Sequence, residues 1–358
     1  MNETANTLVA NGSLSAPSAR ISSQEALALA KTHYGIEGRV QRFDTEKDDT
    51  FRLTSRDGRN YTLKIANAAE HRREISLQID LLAHIALVNP GLPVPRVVAD
   101  RDCRMQFSYA DSTGQTREVH LLTYLEGVPL SEVTTEAHER EKVGEVLGTL
   151  RLAMAGYAHA ADSREIAWDV KHLLKLAPLL DEIADPARRS LIETGLDRFT
   201  SIAGRLAKCR TQVLHNDFSK SNIVIDKSDA GFVTGIIDFG DAVRTAVVID
   251  VSTALLNQLP SRPAESFFAQ GHDLLRGYLR VTDLTDEELL LLPHLVMGRA
   301  VARALLTIWR GRLFPDNARY IMRNTDQGWH QLAWFMARPI NDISDEFLHT
   351  ARRQRTAR

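Results

Sequence analysis

Cysteine is almost missing from this chain. Cys103 and Cys209 are the only two among 358 residues, and they stand in no C-x-x-C spacing. That leaves neither a disulfide framework nor a thiolate zinc site to organise the fold. An excess of one charge sign is missing as well, since 44 Lys and Arg stand against 46 Asp and Glu, a formal charge of -2. Such a balance offers no electrostatic footprint for nucleic acid or an anionic membrane. No apolar run approaches the length of a membrane span. Residues 1–20 are rich in Ser, Asn and Ala, lack the basic start and apolar stretch of a signal peptide, and read as a flexible tail. The expectation is a cytoplasmic protein, monomeric or homodimeric, with no nucleic-acid or membrane partner.

What is present is enough apolar material for two cores: 44% of the residues are hydrophobic, in a chain longer than one typical domain. Ser22-Ser23-Gln24-Glu25 matches a capping box and opens a helix that runs to Gly35. Segments 38–44, 50–55 and 60–66 alternate like strands, the last two joined by a turn containing Asp57-Gly58. Lys64 sits on the third strand, on the face opposite Leu63 and Ile65. From Ala69 to Val88, Ile75, Ile79, Leu82 and Ile85 recur at helical intervals. Glu74 on that helix is placed to pair with Lys64, with Glu70 as its rival. A strand near 96–100 and a hairpin over 105–110 and 116–124 complete a small lobe, residues 21–126. Thr123, Tyr124 and Leu125 then form an extended hinge whose backbone can meet the edge of a base. Helical patterns dominate 127–351, a larger lobe, and a basic tail occupies 352–358.

The densest chemistry lies at His215-Asn216-Asp217-Phe218-Ser219-Lys220-Ser221-Asn222, followed by Asp238-Phe239-Gly240-Asp241. Between them, 223–226 and 232–238 alternate around the turn residues of 227–231, a β-hairpin that carries Asp238 back to Asn222. A lone H-x-D is more often a turn aspartate than a catalyst. The ordered set, with a lysine upstream, matches phosphoryl transfer: Asp217 to accept a hydroxyl proton, Asn222 and Asp238 to hold Mg2+ through oxygen atoms. Lys64 and Glu74 serve the nucleotide phosphates in this scheme. His215 reads as a brace within the loop. Asp250, at the head of an apolar helix, reads as a charge that suits a helix N-terminus.

These residues resemble the aminoglycoside phosphotransferase and choline kinase superfamily. The resemblance rests on H-x-D-x-x-x-x-N at 215–222, I-I-D-F-G-D at 236–241, Y-T-L-K-I at 61–65 and L-L-T-Y-L-E-G at 121–127. The hinge and D-F-G-D are most similar to hydroxylysine kinase-like members. The resemblance implies an α+β, bilobal protein kinase-like fold, with a small antiparallel-sheet N-lobe bearing one long helix and a mainly helical C-lobe. It also implies transfer of the γ-phosphoryl group of ATP or GTP to a hydroxyl of a small amine-bearing metabolite, hydroxylysine or a similar hydroxy amino acid or amino alcohol. An aminoglycoside, choline, homoserine or a sugar are alternative acceptors, and a catalytically silent nucleotide-binding regulator is the alternative of another class. Asp250 is further implied as a buttress of the catalytic loop.

One departure concerns glycine. The segment Asp44 to Thr50, where a phosphate-covering loop belongs, contains none. Thr50 and Lys220 are then candidates for phosphate contacts, Lys220 equally readable as a solvated loop lysine. For the acceptor, Asp241 and Arg244 are expected on the open side of the cleft, the one facing an ammonium and the other a carboxylate. They are equally readable as partners for each other. Arg299, Arg303 and Trp309 on a late helix are further candidates.

Overall fold

A computed structural model describes residues 8–9, 14–16, 20–45, 47–262 and 266–356. The chain enters through helix Ser23–Leu29, where the Ser22 hydroxyl accepts from the Glu25 N–H at 3.1 Å. A π-helical turn, Ala30–Tyr34, follows and stops at Gly35, whose φ of 69° lies in the left-handed region. Strands β1 (Gly38–Arg42), β2 (Asp49–Ser55) and β3 (Asn60–Ile65) come next. Helix Arg72–Val88 precedes β4 (Val97–Val98), β5 (Phe107–Ala110) and β6 (Thr116–Thr123). The sheet is antiparallel, ordered β1-β2-β3-β6-β4, with β5 also on β6.

Register explains the two faces of this sheet. Thr50, Lys64 and His120 stand side by side on β2, β3 and β6. Because side chains alternate along a strand, the residues one step away point to the other face. There Phe51, Leu63 and Leu121 are buried together with Leu53, Ile65 and Val119. Arg117 on β6 is fully buried; its guanidinium reaches Asp49 of β2 at 2.9 Å and Asp111 at 3.5 Å. Asp49 also accepts from the Ile21 N–H at 3.2 Å and pairs with Arg42 of β1. One buried carboxylate thus ties the edge strand β1 and the inner strand β6 of the lysine's sheet to the segment leading into it.

The C-lobe is mainly helical, with five short strands that shape the cleft. β7 (Val128–Pro129), β9 (Ile223–Ile225) and β10 (Val233–Ile236) form one sheet, and β8 (Thr211–Leu214) pairs with β11 (Val243–Ala246) in another. Helix Asp286–Leu313 starts at a capping box between Thr285 and Glu288 and runs through the core. By length and composition it passes for a membrane span, contrary to the expectation that no run would, but 89% of its most apolar stretch is buried inside the protein. Val170–Glu182 winds as a 3-10 helix that contains Pro178. Proline removes a backbone donor and crowds the preceding turn.

Both expected tails depart from expectation where they are described. Leu8 and Val9 are buried in the main core, and the Leu14 and Ala16 carbonyls accept from Arg310 Nε at 3.1 Å and Asn67 Nδ2 at 3.3 Å. The rest of 1–20 up to Ser18 and Ala19 lies outside the described residues except Ser15 and Arg20. At the other end, helix Ile340–Thr356 takes in most of the basic segment, and Arg352 pairs with Asp286 at 2.6 Å. Removing one member of a buried ion pair strands its partner's charge. Asp49→Ala is therefore expected to cost about 3 kcal/mol of stability in urea unfolding; a loss below about 1 kcal/mol would show that Arg117 does not depend on it.

Candidate active site

The loop between β8 and β9 is held from below by backbone-directed bonds. Asn216 adopts a left-handed φ of 62°, unusual for a non-glycine residue. Its N–H donates to Asp250 Oδ1 at 2.8 Å. His215 Nδ1 accepts from the Asp217 N–H at 3.3 Å, so its Nε2–H donates to the Ile237 carbonyl at 3.0 Å. The ring also meets Phe239 edge-on, with centroids 4.7 Å apart. These contacts turn the Asp217 side chain into the cleft. Asn222 Nδ2 donates to the Asp217 carbonyl at 3.0 Å and to Asp217 Oδ2 at 2.7 Å. With its amide NH2 spent there, Asn222 keeps its carbonyl Oδ1 as an oxygen that could hold a metal ion.

The hairpin of β9 and β10 brings the second aspartate to the same place. The Ile237 N–H donates to the Asn222 carbonyl at 2.9 Å, and Asp238 follows with a left-handed φ of 63°. Asp238 caps the short 3-10 turn Phe239–Asp241 and pairs through Oδ1 with Lys64 Nζ at 3.0 Å. The Lys64 ammonium, against the opposing effect of burial, holds the Asp238 carboxyl down at about 2. Burial works against the charge of Lys64 too, but Asp238 and Asp48 outweigh it and raise its pKa. A cation and an ionised carboxylate therefore face each other across the cleft.

Two expected pairings are corrected. Glu74 does not reach Lys64: Arg164 Nη1 holds it at 2.8 Å. The same guanidinium donates from Nη2 to the Gly240 and Ala242 carbonyls, so it joins the long N-lobe helix to the turn after Asp238. Nor does Lys64 take Glu70, which pairs with Lys47. Arg244 does not line the cleft, because Asp162 holds its guanidinium through Nε at 3.1 Å and Nη2 at 2.7 Å. It is not a partner of Asp241 either.

A cavity of about 530 Å³ contains the remaining groups. Thr123, Tyr124 and Leu125 line it together with Thr50, Lys64 and His120 of the sheet. Asp217, Asn222, Asp238 and Asp241 line the same cavity. Burial, and then the nearby Lys64, push His120 down to about 3, so it is neutral there. Trp168, Asn257, Arg299, Arg303, Arg323 and Asn324 also line it, whereas Trp309 packs on the core and Lys220 does not line the cavity. Of these, Trp168, Asn257, Arg323 and Asn324 carry no motif; they come from three separate segments and share a wall only after folding.

Asp250 is almost fully buried, and burial pushes its carboxyl up to about 6, opposed by the nearby His215 and the Asn216 N–H. Above the 3.8 of an unperturbed aspartate, the native protein then binds the extra proton, so this group's contribution falls as pH rises from about 4 to about 6. Across that interval, the stability of the parent chain relative to Asp250→Asn is expected to drop by about 3 kcal/mol. Urea unfolding of both proteins at pH 4, 5, 6 and 7 measures it. A pH-independent difference would exclude the proton from Asp250.

Comparison with known proteins matches residues 40–284 to the family model described as the APH phosphotransferase enzyme family. The hydroxylysine kinase of Mus musculus is 24% identical over 352 residues, covering 92% of this chain and 93% of that one. A microcompartment-associated aminopropanol kinase has a similar structure, with a TM-score of 0.70, 18% identity and coverage of 88% of this chain and 98% of that chain. The amicoumacin kinase hAmiN, solved with AMP-PNP, Ca2+ and Ami, superposes with a TM-score of 0.66 at 18% identity, over 87% and 98% of the two chains. These neighbours share the bilobal protein kinase-like fold. The family's match spans the strand of Lys64, the loop of Asp217 and the hairpin of Asp238, and the chain belongs to the phosphotransferase enzyme family as a small-molecule kinase.

Proposed function

We propose that this kinase transfers the γ-phosphoryl group of ATP or GTP to a hydroxyl of an amine-bearing metabolite, hydroxylysine or a similar hydroxy amino acid or amino alcohol. The observation that carries the reading is the convergence of Asp217, Asn222, Asp238 and Lys64 on one cavity bordered by the hinge. Asp217 orients the acceptor hydroxyl and takes its proton as the new O–P bond forms and the bond from the γ-phosphorus to the bridging oxygen breaks, leaving ADP or GDP. Lys64 exchanges its contact with Asp238 for the phosphates. The backbone of Thr123, Tyr124 and Leu125 receives the base, and Asp241 is the carboxylate available to the acceptor's ammonium.

The donor set suits magnesium. Asp238 is ionised and Asn222 retains a carbonyl oxygen, both hard ligands of the kind this ion shares with phosphate oxygens and water. Bound there, magnesium supplies charge neutralisation to the phosphates. The residues themselves supply position: a loosely bonded phosphoryl transition state rewards alignment and fixed charge more than covalent help. His215 and Asp250 act beneath the surface, the one bracing the loop to β10 and the other holding the Asn216 backbone. Against a silent nucleotide-binding regulator stands the integrity of all four groups, none replaced by a residue lacking its chemistry.

Asp217→Ala is expected to lower phosphoryl transfer about 10²- to 10⁴-fold without loss of the folded state. Asp238→Ala should lower turnover comparably and raise the magnesium concentration needed for half-maximal rate. Coupled nucleotide turnover, with each protein's melting curve as the control for folding, reads both. Undiminished turnover in either variant removes the role assigned to that residue. Thermal-shift screening of hydroxy amino acids, amino alcohols and aminoglycosides with magnesium and ATP or GTP separates the acceptors and the donors.

A further inference from the structure

The cavity wall is rich in guanidinium groups for a pocket expected to take an amine. Arg299 and Arg303 stand four residues apart on helix Asp286–Leu313, hence on one face of it. Arg323 joins them from the segment after Ile321, and all three line the cavity. Arg299 is only 5% exposed, lies 5.3 Å from the centre of the Trp168 ring, and its Nη1 has no hydrogen-bond partner among the described residues. Its Nη2 stands 3.5 Å from the Asn216 carbonyl and 3.6 Å from Asp217 Oδ1. Arg299 therefore spends its charge beside the catalytic loop.

Arg303 is different. Among the described residues its guanidinium has no ion pair and no hydrogen bond, although it lines the same wall. Burial, and then the neighbouring Arg299, bring its pKa down to about 10. Two guanidinium groups on one helix face repel each other, and the carboxylate that offsets this at Arg303, Asp217, is shared with Arg299, 3.6 Å away. The other acidic residues of the cavity are Asp44, Asp238 and Asp241. Of these, Asp238 is taken by Lys64, and Asp241 sits close enough to Lys47 to raise its pKa. Arg323 gives Nη1 to the Tyr320 carbonyl at 2.8 Å and stacks on that ring, which leaves the rest of its fork open. A planar anion placed here would meet a fork geometry suited to two parallel hydrogen bonds and would relieve the repulsion.

We infer that Arg303, flanked by Arg299 and Arg323, binds a carboxylate on the acceptor, so that the substrate is a hydroxy acid or hydroxy amino acid and not a simple amino alcohol or an aminoglycoside. This rests on the kinase reading above, and it moves carboxylate recognition from Arg244, which Asp162 occupies, to the late helix. It also gives the acceptor a direction. A carboxylate held by Arg303 leaves the rest of the molecule to carry its hydroxyl to Asp217, beside which Arg299 also stands at 3.6 Å.

The test compares acceptors that differ only by the carboxylate: 5-hydroxylysine against 1,5-diaminopentan-2-ol, and homoserine against 3-aminopropan-1-ol. With the parent chain, kcat/KM for at least one acid is expected to exceed that of its decarboxylated partner by about 10- to 100-fold, the range a charge-assisted bond supplies. Arg303→Met and Arg323→Met should each shrink that ratio, Arg303→Met toward one, through KM for the acid more than through kcat. Arg303→Lys should recover part of it. Melting curves of each variant verify folding, and the exposed position of Arg323 keeps the test open if Arg303→Met does not fold. Equal use of both members of each pair, preference for the amines or for an aminoglycoside, or a KM change confined to the nucleotide overturns the carboxylate site and leaves the kinase reading standing. Absence of transfer to every acceptor overturns both.

Discussion

One contact joins the working ends of the two lobes: the ammonium of Lys64 lies 3.0 Å from the carboxylate of Asp238, across 174 residues of chain. Each partner is delivered by a different local structure. Lys64 is set by strand register between Thr50 and His120, and Asp238 by the end of a hairpin that begins beside the catalytic loop. Asp238 is half-exposed, so solvent screens the pair and its contribution to stability is modest. Its consequence is chemical. Both groups are held ionised and within reach of the same point, where phosphate charge and a hard cation find complementary partners.

Around that contact the fold uses buried polar groups as positioning devices, each at a desolvation cost. Asp250 is kept where burial opposes its charge, and what it secures is the backbone of Asn216 in a conformation that side chains other than glycine rarely adopt. Arg117 and Asp49 do the same for the sheet. Arg164 links Glu74 to the carbonyls of Gly240 and Ala242, so the long N-lobe helix is anchored to the turn after Asp238 by one guanidinium. The guanidinium groups of Arg299 and Arg303 belong to another category, because the protein leaves them incompletely paired inside the cavity.

Much of this was legible along the chain. Alternation revealed the strands that carry Lys64 and the hairpin that returns Asp238, because a two-residue period is a local property. The hinge at Thr123, Tyr124 and Leu125 followed from where the last sheet strand ended. The loop His215 to Asn222 was recognisable by its spacing together with the hairpin and Asp238 that follow it, since a short turn folds Asn222 back onto Asp217, 2.7 Å away. Glu74 was misread because strand–helix order says which elements are neighbours, not which of several cations a carboxylate meets. Arg164 lies 90 residues away in a segment with no periodic pattern. Arg244 failed for a similar reason: Asp162, 82 residues earlier, reaches it first.

By itself the amino-acid order determined the elements, the bilobal architecture and the residues proposed for phosphoryl transfer, because each depends on propensities and spacings within a few tens of residues. Only the tertiary structure decided the pairings. Which acid holds Lys64, which guanidinium groups are consumed by the scaffold, and which are left lining the cavity depend on side chains brought together from distant segments. Such contacts are selected by competition among several charges of the same sign for the nearest opposite one. That competition is settled by packing, and no one-dimensional pattern records it.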